Sequence, residues 1–100
     1  MRISLERSGG FMGRKVNFSL DLDDLPHDQA ESLQELLKKA DFFALPDNLI
    51  SKPLPDEFTY TITVETANLR HSVHFSDTST PDSLRPLLDD LSGRARSRRA

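Results

Sequence analysis

Apolar and polar side chains alternate singly in four stretches of this chain and recur every three or four residues in two others. Single alternation marks a strand with one buried face, and the longer spacing marks a helix with one buried stripe. In the first stretch Ile3 and Leu5 face one way and Arg2, Ser4 and Glu6 the other. In the second, Val16, Phe18 and Leu20 alternate with Asn17, Ser19 and Asp21. Between them Ser8-Gly9-Gly10-Phe11-Met12-Gly13 holds three of the four glycines, as suits a hairpin connection whose backbone takes positive φ. Phe58, Tyr60, Ile62 and Val64 alternate with Thr59, Thr61, Thr63 and Glu65. After a turn at Thr66-Ala67-Asn68, His71, Val73 and Phe75 alternate with Arg70, Ser72, His74 and Ser76.

The first helical stripe is Ala30, Leu33, Leu37 and Ala40, widened by Leu36. Pro26 suits the first helical position, Asp28 lies in the first turn, and Lys38 and Lys39 sit where cations favour the helix dipole. Asp41 is expected to cap one further short turn carrying Phe42 and Phe43, which Pro46 stops. Residues 46–56 carry three prolines and read as a stiff surface loop. The second stripe is Leu84, Leu87, Leu88 and Leu91. Pro86 cannot lie deep in that helix, so the spacing predicts a start capped by Asp82 or Ser83 and a left-handed stop at Gly93.

The order ββαββα implies a two-layer α+β sandwich: a four-stranded antiparallel sheet with two helices on one face. Ile3, Leu5, Val16, Phe18, Phe58, Tyr60, Ile62, Val64, Val73 and Phe75 are the expected sheet core. One domain over residues 1–93 is expected, followed by a dispensable, disordered basic tail over residues 94–100.

Composition narrows the function classes. With no cysteine there is no disulfide framework and no thiolate metal site. The longest apolar run, Phe42-Phe43-Ala44-Leu45, is far too short to span a bilayer, and the charged, alternating N-terminus is not a secretory signal core. A soluble, cytoplasmic chain without a membrane partner is the expectation; the oligomeric state is open, with a monomer expected. The net charge of −3 conceals an asymmetry: residues 1–93 hold nine Lys or Arg against sixteen Asp or Glu, and four arginines follow. An acidic body repels phosphate backbones, so no nucleic-acid partner is expected. From Asp21 to Glu35 there are six acids and no Lys or Arg, more than a helix dipole needs. Asp23, Asp24, Asp28 and Glu31 are therefore a candidate partner-docking patch, with a solvated helix start as the plainer account.

Catalytic chemistry finds little support. His71 and His74, three apart on a strand, point to opposite faces, and His27 lies far along the chain; one half-buried and two surface histidines are expected, with no metal site and no cofactor. No serine sits in a nucleophile elbow, and Gly9-Gly10 with Gly13 precedes a strand where a phosphate loop requires a helix. The paired carboxylates Asp23-Asp24 and Asp89-Asp90 have no evident pocket. A non-enzymatic binding role is what the residues leave open. Its most conspicuous candidate is Phe11-Met12, two large apolar residues at a glycine-rich turn tip where solvated polar residues are usual.

Four segments carry a family resemblance. Residues 1–13 (MRISLERSGGFMG), Ala40-Asp41-Phe42-Phe43-Ala44-Leu45-Pro46, residues 58–65 (FTYTITVE) and Leu84-Arg85-Pro86-Leu87-Leu88-Asp89 together resemble the emfourin-like proteins, in order and at similar spacing over most of residues 1–92. The resemblance implies a small bacterial inhibitor of protealysin, a thermolysin-like zinc metalloprotease often encoded beside it. An inhibitor of this kind needs no catalytic group, only a rigid projecting element that fills a cleft and resists turnover. Thermolysin-like enzymes favour large apolar residues just after the scissile bond, which Phe11 or Met12 would supply. Ser8, Gly9, Gly10, Phe11, Met12 and Gly13 are thus the first candidate protease-binding residues, and Leu49, Ile50 and Leu54 in the proline-rich loop are the second. The alternative is a regulatory or adaptor module that binds a partner through the open sheet face of Thr59, Thr61, Thr63, Ser72 and His74.

Overall fold

In the computed structural model, which describes residues 1–9, 15–50 and 57–97 (side chains as far as residue 95), the four alternating stretches form one antiparallel sheet. The elements are β1 (Arg2–Gly9), β2 (Val16–Asp21), α1 (His27–Ala40), β3 (Phe58–Glu65), β4 (Arg70–Ser76) and α2 (Arg85–Ser97). The expected α+β architecture and ββαββα order are observed. Strand order is β2-β1-β3-β4, so β1 pairs with both β2 and β3. Leu5 lies opposite Phe18 on one side and Ile62 on the other, and Ile62 lies opposite Val73. This register stacks the apolar positions on one face. There they join Leu33, Leu37 and Ala40 of α1 and Leu87, Leu88, Leu91 and Ala95 of α2 in a single core.

Two expected core residues lie at its margin. Val16 is half-buried and Phe58 is 37% exposed, and both stand at the sheet end, opposite Arg7 and Gly9 of β1. The Arg7 guanidinium covers part of Phe58, 4.9 Å from its ring centroid. Leu20 is only half-buried. Leu22, just past β2, is buried instead, in a 3-10 turn over Leu22–Asp24 that Asp21 caps by accepting the Asp23 amide at 3.0 Å. That turn occupies part of what reads in sequence as an acidic helix approach.

α1 begins one residue later than expected, with Pro26 in the capping position. It ends where Asp41 adopts the left-handed conformation (φ 50) and donates its amide to the last carbonyls. The short turn Phe42–Ala44 follows as expected, although the Asp41 side chain makes no capping bond. Phe42 is buried edge-on against His71, whose Nε2 lies 2.7 Å from the Leu45 carbonyl oxygen. The chain then runs along the outer edge of β4. The Leu49 amide donates to the His74 carbonyl, and the His74 amide donates to the Asp47 carbonyl, each at 2.8 Å. This parallel bridge at Asn48 covers an edge otherwise open to pairing.

α2 departs from expectation at both ends. A turn with the Leu84 amide donating to the Pro81 carbonyl precedes it, so the helix starts at Arg85 and not behind an Asp82 or Ser83 cap. Pro86 is then its second residue, where a missing N–H is harmless. Gly93 does not stop the helix, which continues to Ser97. Two contacts favour that extra turn: Ala95 returns to the core, and Arg94 Nε donates to Asp90 Oδ1 at 2.6 Å while Nη1 donates to Gln29 of α1 at 3.2 Å. Residues 94–97 are therefore part of the folded unit and not of a disordered tail; residues 98–100 lie outside the described residues.

Candidate partner-binding end of the sheet

Strand directions sort the candidate residues between two ends of the sheet. β1 finishes at Gly9, opposite Phe58 at the start of β3, with the start of β2 and the end of β4 on either flank. Gly10, Phe11, Met12, Gly13 and Leu54 lie outside the described residues. The two segments that contain them, residues 10–14 and 51–56, nevertheless adjoin this one end, since Gly9 and Glu57 are their neighbours in the chain. Asp47 to Ile50 also runs toward it, because Asn48 pairs with His74 in parallel. Ser8 is held to Thr59, hydroxyl to hydroxyl, at 2.9 Å. Leu49 packs partly against the core, and the Ile50 amide donates to Asn48 Oδ1.

Gly9 has a local reason to be glycine. Its φ is +89, and a β-carbon there would lie 2.9 Å from the Glu57 carbonyl oxygen. Around it is a polar group that pattern reading does not single out. The Tyr60 hydroxyl donates to Asp77 Oδ1 at 2.8 Å, and the Phe58 amide donates to Asp77 Oδ2 at 3.2 Å. Buried Glu57 accepts the Thr78 amide at 2.6 Å. Burial, then the hydrogen bond and charge of Asp77, push the Tyr60 phenol up to about 12, against a lowering by Arg7. The alternation pattern assigns no role to Asp77 or to Glu57. Their partners are 17 to 21 residues away.

Asp23, Asp24, Asp28 and Glu31 stand elsewhere. Asp21 pairs with Arg2, so the acidic turn and the start of α1 follow from the opposite end of the sheet. All four are exposed, and Glu31 lies 3.5 Å from His27. Asp24 also borders a shallow groove with Asp21, Asp89, Asp90, Arg2 and Arg94, floored by Phe18, Leu20 and Leu25. The structure does not bring the acidic patch and the loop end together.

On the open face the hydroxyls pair across strands: Thr61 with His74 at 2.9 Å and Thr63 with Ser72 at 2.8 Å. His71 and His74 are both half-buried, against the expectation of one, because the Thr61 and Asn48 flanks shield His74. Among the described residues no group of three or more His, Asp or Glu is placed to hold a metal ion, and no helix is long and apolar enough to cross a membrane.

No curated protein and no solved structure matches the chain. The family model for Emfourin does, over residues 5–92, from the inward-facing Leu5 of β1 to the third turn of α2. That span includes Gly9, the Asp77 network and both loop segments, and the metalloprotease-inhibitor role the family supports calls for a protease partner and no catalytic group. The chain belongs to the Emfourin family.

Proposed function

We propose that this chain inhibits a protealysin-type, thermolysin-like zinc metalloprotease by presenting the Gly9–Phe58 end of its sheet to the active-site cleft. Residues 8–13 are the first candidate contacts, and Leu49, Ile50 and Leu54 are the second. The observation that carries the proposal is the register setting Gly9 against Phe58, which brings the described residues next to both loop segments to one end of the sheet. An ordered base at this end lowers the entropy that binding must spend, which favours affinity. Phe11 and Met12 supply the apolar side chains such a cleft accepts. A cytoplasmic site of action is part of the same proposal.

The test is a titration of protealysin with the full chain, repeated with Phe11 and Met12 changed to Ala. Loss of a pocketed apolar anchor weakens inhibition at least about tenfold, which is about 1.4 kcal/mol. The melting temperature is expected to stay near wild type. A double variant that inhibits at full strength removes the hairpin from the mechanism and moves attention to Leu49, Ile50 and Leu54.

A further inference from the structure

We infer that Glu57 and Asp77 form a reciprocal clamp that sets the geometry of the partner-binding end, with Asp77 as its positioning residue. The β3–β4 ladder has its last register pair at Thr59 and Ser76. Beyond that point each strand reaches across with a carboxylate to the other's backbone. Glu57 accepts the Thr78 amide at 2.6 Å, and Asp77 accepts the Phe58 amide at 3.2 Å. The Asp77 amide returns a bond to the Phe58 carbonyl at 3.2 Å, and Tyr60 engages the second carboxylate oxygen of Asp77 at 2.8 Å. These side-chain bonds extend the ladder where paired strands commonly fray.

Position makes this extension matter. Phe58 and Glu57 are where residues 51–56 rejoin the sheet, and Gly9, where residues 10–14 leave it, pairs with Phe58 and sits so near Glu57 that an added β-carbon would lie 2.9 Å from the Glu57 carbonyl oxygen. One clamp therefore fixes an anchor point of both loop segments. Asp77 is exposed, and its two side-chain bonds both go to β3. Its role rests on the inhibitor function proposed above: ordering the base before encounter lowers what binding must spend on ordering it.

The test pairs inhibition with amide hydrogen exchange on the full chain. Asp77→Ala is expected to weaken inhibition of protealysin by about tenfold, with the loss in the association rate constant. Phe58 and Thr78 amides should exchange faster while the central Ile62 and Val73 amides do not change. Asp77→Asn keeps one of the two acceptor oxygens and is expected to restore both in part. Asp77→Ala with unaltered exchange at Phe58 overturns the clamp, whatever the inhibition. Faster exchange with inhibition at wild-type strength overturns the positioning role. If the wild-type chain fails to inhibit protealysin, the proposed target falls, and exchange in the same variants still decides whether the clamp exists.

Discussion

Gly9 and Gly93 make opposite demands on a β-carbon, although both read in sequence as turn residues. At Gly9 the positive φ and the Glu57 carbonyl 2.9 Å from an added β-carbon both oppose substitution. Strain of this kind costs about 1–3 kcal/mol, so Gly9→Ala is expected to melt clearly below wild type. At Gly93 nothing lies within 4 Å of an added β-carbon, and the residue is inside a helix. Gly93→Ala should stabilise by about 1 kcal/mol, and about 4–8 °C in melting temperature for a chain of this size. A lower melting temperature for Gly93→Ala would mean a left-handed stop after all. Tyr60 offers a pH prediction. Its phenol, at about 12, lies above the ordinary value near 10, so the folded state favours the protonated form. The resulting stabilisation is whole below about pH 10 and is lost as pH rises through about 12. It is the one tyrosine in a chain without tryptophan, so phenolate absorbance reports it alone. Coincident phenolate formation and unfolding is the expected result; titration near 10 in a chain still folded would contradict it.

At the scale of elements, period-two and period-three-to-four patterns sufficed for all four strands and both helices, because each has one buried face. What they missed is contact between elements. Gly93 has the residue type of a helix stop, and nothing local reveals that Ala95 reaches the core or that Arg94 reaches Gln29 on α1. Strand order is equally non-local, since either neighbour of β1 preserves the same alternation. The predicted consequence concerns the C-terminal turn of α2. Truncation after Gly93 removes the buried Ala95 and the Arg94–Asp90 pair, whose side chains are about three-quarters shielded. Together these are worth about 1–2 kcal/mol, so the truncated chain should melt several degrees below wild type. An unchanged melting temperature would return residues 94–97 to the status of a dispensable tail.

Over the whole molecule, the sequence singles out loop and acidic candidates without saying how far apart they lie. Arg2 to Gly9 is an eight-residue strand, which spans about 24 Å. The acidic turn adjoins the Arg2 end, and both loop segments adjoin the Gly9 end. Exposed charges are screened over about 8 Å at physiological ionic strength, so carboxylates at one end contribute little to a contact made at the other. Neutralising Asp23, Asp24 and Asp28 to Asn and Glu31 to Gln is therefore expected to leave the inhibition constant within about twofold of wild type at physiological salt. At low salt, where screening lengthens to about 30 Å, the same variant should change the association rate and leave dissociation unaltered. The measurement is the pair of rate constants against the proposed protease target at two salt concentrations, with the Phe11 and Met12 double variant alongside. If the acidic variant dissociates faster at physiological salt while the loop variant does not, the partner sits on the start of α1 and the binding end has been assigned to the wrong side of the sheet.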